Sequence, residues 1–338
     1  ALTPSSIAEN NAANATVGTL SAADVDAGDT HSYSLVAGTG DTDNTSFSID
    51  GTALMLTPSA DFETKASYSL RVLADDGNGG TFAKALTVTI TNVNEAPTDI
   101  ALSNATLAEN NAANASVGTL SASGDPDAGA VHSFSLVNGM GDADNAAFTI
   151  DGSALKLIPS SNFEVKNSYS LRVEASDGLG GTFAKSLVIS ITDANDAPSD
   201  LALTPSSIAE NNAANATVGA LSATDANAGQ THTFSKVAGT GDTDNASFSI
   251  SGTNLILIPS ADFETKASYS VRVQADDGQG GTFAKALTVT ITNVNEAPTD
   301  IALTPASLAE NNAANATVGT FSATDPDAGN THSFSLVA

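Results

Sequence analysis

Residues 67–91 read SYSLRVLADDGNGGTFAKALTVTIT. On the left flank Tyr68, Leu70, Val72 and Ala74 alternate with Ser69, Arg71 and Leu73; on the right, Leu86, Val88 and Ile90 alternate with Thr87, Thr89 and Thr91. A period of two sends neighbouring side chains to opposite faces, so both flanks predict half-buried antiparallel strands. Asp76-Gly77-Asn78-Gly79-Gly80 between them predicts the turn. Working outward, the same signals predict strands at Thr16 to Ser21, His31 to Val36, Phe47 to Ile49 and Ala53 to Leu56, with a first strand around Leu2 to Ile7. About seven short strands in one such stretch predict an all-β, immunoglobulin-like Greek-key sandwich. No helical period is sustained, and the Ala-Asn run from Asn10 to Ala15 has no apolar stripe and reads as a loop.

The same phrases return down the chain. AENNAAN places a glutamate at Glu9, Glu109, Glu210 and Glu310, at spacings of 100, 101 and 100 residues, and Gly124 is the extra residue of the second copy. NVNEAPTD from Asn92 returns as DANDAPSD from Asp193 and as NVNEAPTD from Asn293. Such a period is too long for a solenoid unit and suits an independent sandwich domain. Closing each copy at its Ala-Pro dipeptide gives expected domains 1–97, 98–198 and 199–298, then a partial fourth copy, 299–338, stopping at a Leu336-Val337 strand. Ala1 aligns with Ala101, Ala202 and Ala302, so both ends are expected to be cuts through a longer array.

Composition narrows the function. The 338 residues are 41% hydrophobic, 14% charged and only 5% aromatic, so the cores must be thin and built from Leu, Ile, Val, Ala and a few Phe and Tyr. The absence of Cys removes disulfide frameworks, thiolate metal sites, Fe–S clusters and thiol nucleophiles together. Asp and Glu number 38 against 11 Lys and Arg, a formal charge of -27. That field repels phosphate backbones and anionic lipid, which excludes nucleic acid and acidic membranes as direct partners. No apolar run approaches the roughly 18 residues of a membrane span, so no membrane insertion is expected in this segment.

The carboxylates are not scattered along the strands. In the first copy they gather at strand ends in five places: Glu9, the Asp61 and Glu63 of DFE, Asp76 before the glycine turn, the linker Asn92, Asn94 and Glu95, and the D-x-D of Asp24 and Asp26. Loops joining alternate strands cluster at the ends of a sandwich, and like charges crowded there need a cation. Hard oxygen donors without Cys or His point to Ca2+; Mg2+ suits less because it holds its waters.

AENNAANATVGTLSA followed by D-x-D-A-G, the DFETKASYSLRVLADDG stretch and NVNEAP together resemble, in order and spacing, the calcium motifs of the cadherin repeat. They are most similar to the cadherin-like repeats of large bacterial surface adhesins, and the resemblance covers all three complete copies and the partial one. It implies tandem cadherin-like sandwiches at the cell surface with Ca2+ between successive domains. The upper domain's Glu and D-x-E, the linker, and the lower domain's D-x-D and glycine-turn Asp would hold the ions. Carried over, the first junction would use Glu9, Asp61, Glu63, Asn92, Asn94 and Glu95 with Asp125, Asp127 and Asp177. The second would use Glu109, Glu164, Asp193, Asn195 and Asp196 with Asp225, Asn227 and Asp277. The third would use Glu210, Asp262, Glu264, Asn293, Asn295 and Glu296 with Asp325 and Asp327. The sequence departs from the animal pattern in a linker one residue shorter, in Asn92 and Asn293 for Asp, and in Asn162 and Asn227 for Asp at the second junction. The strand-exchange Trp of vertebrate adhesive cadherins is absent, so their homophilic mechanism does not transfer.

Plainer readings apply to several groups. Asp41, Asp43 and Asn44 of GDTDN read as turn residues rather than ligands. His31, His132, His232 and His332 recur once per copy at a strand start and read as structural, because equivalent histidines a domain apart cannot meet on one metal. Asp24-Val25-Asp26 is not an EF-hand loop, since the twelfth position is Leu35 rather than Glu. Gly77 to Gly80 lacks the Lys and the helix of a phosphate loop. Asn14-Ala15-Thr16 and its counterparts are sequons that matter only in a eukaryotic secretory host. Every polar cluster is repeated and no Ser, His and Asp set stands apart, so the chain is expected not to be an enzyme. Three classes remain: a calcium-rigidified extender spacing an adhesive tip from the cell, a ligand-binding adhesive module, and a self-associating extracellular filament subunit with strand complementation between chains. Few aromatics converge outside the expected cores, so the extender leads. Its partners are neighbouring repeats of the same chain, with self-association the alternative.

Overall fold

The first copy forms eight strands in the computed structural model: β1 (Leu2–Thr3), β2 (Ser6–Ala8), β3 (Ala15–Leu20), β4 (Ser32–Leu35), β5 (Phe47–Asp50), β6 (Ala53–Leu56), β7 (Ser67–Asp75) and β8 (Thr81–Thr91). The structure describes residues 1–26 and 28–337; Ala27, inside the first D-x-D-A-G, and Ala338, the last residue of the partial copy, lie outside the described residues. The two alternating flanks become β7 and β8, paired antiparallel from Ser67↔Thr89 to Asp75↔Thr81 around the glycine turn. Two four-stranded sheets, ordered β1-β3-β6-β5 and β2-β8-β7-β4, enclose one core of Val17, Leu20, Phe47, Leu54, Leu56, Leu70, Val72, Val88 and Ile90. Tyr68 closes it edge-on against Phe47 with ring centroids 5.8 Å apart. Among the described residues there is no α-helix, and no helix is long and apolar enough to cross a membrane.

The expected first strand, Leu2 to Ile7, is in fact two strands in different sheets. Proline lacks the N–H that a ladder needs, so the chain leaves the first sheet at Pro4 and re-enters the second as β2. In the second copy Asn104 stands at the break, and its side-chain amide donates to the carbonyls of Thr106 and Val117. The sheets are also not wholly antiparallel, because β2 pairs parallel with β8 in the register Ile7↔Ile90 and Ala8↔Thr91. A bulge in β3 between Thr16 and Gly18 fits the same crossover: a Cβ on Gly18 would lie 2.1 Å from the Pro4 carbonyl oxygen, so only glycine lets the two backbones approach.

The chain divides into two compact units, Ala1–Thr192 and Asp193–Ala338. The first holds the first copy and a second with the same two sheets around Ile100, Leu120, Phe148, Leu155, Leu171 and Ile189. The second unit holds a third such pair around Leu201, Phe248, Leu255, Leu257 and Val271. Residues 299–337 form only Asp300–Thr304 paired with Thr320–Thr324, rather than three strands, and Leu336-Val337 is not a strand. In the first copy β4 is held by β7, and no counterpart of β7 exists among these residues.

Candidate metal centre

The parallel β2–β8 pairing builds the acidic end of each copy. Ala8 lies opposite Thr91, and the Glu9 amide donates to the Thr91 carbonyl at 3.1 Å, so Glu9 and the linker leave the sheet side by side. Asn10 turns left-handed at φ 56° and donates its backbone N–H to the Ala60 carbonyl, drawing the DFE loop against the same spot. Glu9 is 3% exposed, and its two oxygens accept the Phe62 N–H and the Val93 N–H, each at 2.7 Å. One buried carboxylate thus ties loop and linker together.

Around it in the first unit, Glu9, Glu63 and Glu95 bring carboxylate oxygens within 4.8 Å of one another. Glu95 Oε1 accepts from Asn10 Nδ2 at 2.8 Å, while Glu95 Oε2 is buried with no hydrogen-bond partner. Desolvation by its neighbours, reinforced by the charges of Glu9 and Glu95, raises the carboxyl of the otherwise exposed Glu63 above the usual glutamate range. A buried oxygen without a donor among three crowded carboxylates suits a hard cation. Asp61 stands apart from this trio and caps the loop, accepting the Thr64 N–H at 2.7 Å. On the side of the second copy, Asn92 Nδ2 donates to Glu63 Oε1 at 3.1 Å and to Asp127 Oδ1 at 2.9 Å. Asn94 Nδ2 donates to Asp177 Oδ2 at 2.7 Å, and that bond, with the Leu179 N–H, holds the Asp177 carboxyl below the usual range. Asp125 joins through the Asp127 N–H, which it accepts at 3.1 Å. The expected first-junction residues therefore converge, with Asp61 in a capping role. At the far end of the first unit Glu109 accepts the Phe163 N–H at 2.7 Å, as Glu9 accepts that of Phe62, and Glu164 is exposed.

In the second unit Asp193, Asn195 and Asp196 lie against Asp225, Asn227 and Asp277. Asn227 Nδ2 donates to Asp193 Oδ1 at 2.9 Å, the Asp196 N–H to Asn227 Oδ1 at 2.6 Å, and Asn195 Nδ2 to Asp277 Oδ2 at 2.8 Å. The Asn195 bond lowers the Asp277 carboxyl. Further along, Glu210 accepts the Phe263 and Val294 N–H groups, each at 2.7 Å, and Glu210, Asp262 and Glu264 form the close trio. Burial first, then the charges of Glu210, Glu296 and Asp327, raise Glu264. Asn293 Nδ2 donates to Glu264 Oε1 at 3.1 Å, the Glu296 N–H to Asp327 Oδ2 at 2.6 Å, and Asn295 Nδ2 to the Glu296 carbonyl at 3.0 Å. Asp325 accepts the Asp327 N–H at 3.0 Å, so even the two-stranded segment keeps its D-x-D loop.

Two sets of helpers escaped the sequence reading. His31, His132, His232 and His332 each place Nε2 2.7–3.2 Å from the first carboxylate of the D-x-D, Asp24, Asp125, Asp225 and Asp325. Each histidine is thereby tied to the acidic loop, and the constant spacing of seven residues was the available signal. Asn10 and Asn211 hold Glu95 and Glu296 through their amides, and the Asn after every AE was the signal there. Asp41, Asp43 and Asn44 are scaffold, as expected. Asp43 accepts the Ser69 N–H and meets Lys65 Nζ at 2.5 Å, and Asn44 joins the Val36 carbonyl to the Arg71 N–H. At the opposite end of the first copy, Asp24, Asp29 and Asp76 form another close carboxylate trio.

No family model and no curated protein matches the sequence. Solved structures do. Mouse cadherin-23 EC22-24 aligns with TM-score 0.60 at 20% identity, covering 87% of this chain and 98% of that one. Protocadherin gammaB7 EC3-6, described as a cis-dimer, aligns with TM-score 0.62 at 19% identity over 97% of this chain and 84% of that one. Protocadherin gamma B2 domains 3-6 give TM-score 0.62 at 18% identity with the same coverage. At these identities the likeness shows the fold: tandem cadherin-type, immunoglobulin-like β-sandwiches.

Proposed function

We propose that the chain is a calcium-rigidified extender of a long cell-surface adhesin, of the bacterial kind its sequence motifs resemble, acting outside the cell and not as an enzyme. Its working modules are 1–97, 98–198 and 199–298, with 299–338 the start of a fourth. The observation that carries this reading is the buried, partnerless Glu95 oxygen beside Glu9 and Glu63, an acidic trio whose counterpart recurs at Glu210 and Glu264. Ca2+ supplies the positive charge that such oxygens lack and tolerates irregular coordination by many carboxylates. The residues that would hold it are those assigned to the three junctions, led by Glu9, Glu63 and Glu95. Bound there, it would join copies that otherwise repel one another, making spacing between tip and cell a function of calcium. Small-angle scattering of the full chain with calcium and with chelator tests this. The chelated chain is expected to scatter as a more flexible particle, and identical profiles in both conditions refute the proposal.

A second reading, self-association by strand complementation, is supported by the two-stranded segment. Ile301 is 63% exposed, whereas its counterparts Ile100 and Leu201 are fully buried, and Phe321 is exposed beside it. The open outer edges of a two-stranded sheet are templates for another chain. Sedimentation across a range of concentrations separates the readings: assembly growing with concentration favours the filament, and a monomer throughout removes it.

A further inference from the structure

Two facing positions exchange chemistry from one linker to the next. The first residue of the linker and the second acidic position of the following D-x-D are Asn92 and Asp127, then Asp193 and Asn227, then Asn293 and Asp327. Asn92 Nδ2 donates to Asp127 Oδ1 at 2.9 Å, and Asn227 Nδ2 donates to Asp193 Oδ1 at the same 2.9 Å. The donor sits on the linker in one case and on the D-x-D loop in the other, yet the bond is kept. In all three cases the D-x-D side chain also accepts a linker N–H through an oxygen: Glu95 to Asp127 at 2.8 Å, Asp196 to Asn227 at 2.6 Å and Glu296 to Asp327 at 2.6 Å. The surroundings orient the Asn92 amide, because an oxygen turned toward Glu63 and Asp127 would face two carboxylates.

Two carboxylates at these positions would repel without a cation, and two amides would give up the charge-assisted bond. One of each satisfies both groups with no ion at all. We propose that the pairs 92/127 and 193/227 are reciprocal amide–carboxylate clips that hold each linker against the following repeat in the absence of calcium; at the third linker Asn293 donates to Glu264 instead and only the Glu296 N–H reaches Asp327. The clip makes Asn92 and Asn227 positioning residues in the metal-free chain, where the resemblance had them as ligands. It leaves the trio of Glu9, Glu63 and Glu95 as the part of the first junction that answers to calcium.

The test is amide hydrogen exchange of the full chain in chelator, read at Glu95 and Asp196, with core amides of β8 as the control for folding. N92D sets two carboxylates face to face and should speed exchange at Glu95 by about tenfold, the loss of one charge-assisted bond. N92D/D127N reproduces the arrangement of the second clip and should return exchange to within about twofold of wild type. The reverse swap D193N/N227D should likewise leave Asp196 protected, which keeps the proposal testable if N92D unfolds its repeat. Unchanged exchange in N92D, or either double swap exchanging as fast as an unpaired linker, overturns the clip. A calcium titration of the same wild-type chain stands separately: no binding there removes the calcium reading and leaves the chelator data to decide the clip.

Discussion

Glu9→Gln is the sharpest perturbation of the acidic end, because both oxygens of a side chain only 3% exposed receive backbone N–H groups at 2.7 Å. Glutamine has one acceptor and one NH2, so either the Phe62 N–H or the Val93 N–H must face a donor, and the surviving bond loses its charge. Losing one bond to a charged acceptor and weakening another costs about 2–4 kcal/mol. In chelator, relief of the repulsion from Glu63 and Glu95 offsets part of that, which places the net effect near the lower figure. For a domain of this size about 2 kcal/mol lowers the unfolding midpoint by roughly 8–15 °C. In calcium the variant also lacks one ligand charge, and a tenfold weaker site forfeits a further ~1.4 kcal/mol of ligand stabilisation at saturation. The assay is calorimetry of the full chain with and without calcium, beside Glu210→Gln as the equivalent change in the third copy. The expected pattern is a drop in the affected repeat that grows when calcium is present. A midpoint unchanged in both buffers refutes the role of Glu9 as joint anchor and ligand; a drop identical in both retains the anchor and refutes the ligand.

Glu63 titrates above the usual glutamate value in the metal-free fold, so its contribution is fully present below the unfolded value of about 4.3 and is lost as pH rises through the folded one. The metal-free first junction should therefore loosen on passing from about pH 4 toward neutrality, and calcium should pull the Glu63 midpoint down; a carboxyl-carbon NMR titration that shows no calcium dependence contradicts this. His132→Ala removes the hydrogen bond to the buried Asp125 carboxylate and should cost ~1 kcal/mol with faster exchange in the 125–129 loop, while equal exchange in variant and wild type would leave the histidine without a holding role. Leu155→Ala, in the centre of the second core, should cost about 2–5 kcal/mol equally with and without calcium, and a calcium-dependent cost would mean that core and junction are not separate. Gly18→Ala drives a Cβ into the Pro4 backbone and should destabilise the first copy by about 1–3 kcal/mol; near-neutral unfolding would show that the strand crossover yields easily.

Much of this architecture is legible in the sequence because it is local. Alternation at Tyr68 to Ala74 and Leu86 to Ile90 specifies two strands wherever they are placed, Gly77 to Gly80 specifies the turn, and the recurrence of AENNAAN specifies the period. The gathering of carboxylates at strand ends follows from the same pattern, since loops of alternate strands must share an end. What the linear order does not contain is register. Glu9 reaches the Phe62 N–H across 53 residues and the Val93 N–H across 84, and only the parallel pairing of β2 with β8 puts them together. Asp61 and Glu63 are neighbours of one motif, yet the fold points one into a loop cap and the other toward Glu95. The split of the first strand at Pro4 and the facing of position 92 with 127 likewise depend on partners that local preference cannot choose. Strand propensity and turn chemistry act over a few residues, whereas hydrogen-bond pairing between distant strands is settled only when the two sheets close on their core, and that closure decided which carboxylates and amides meet.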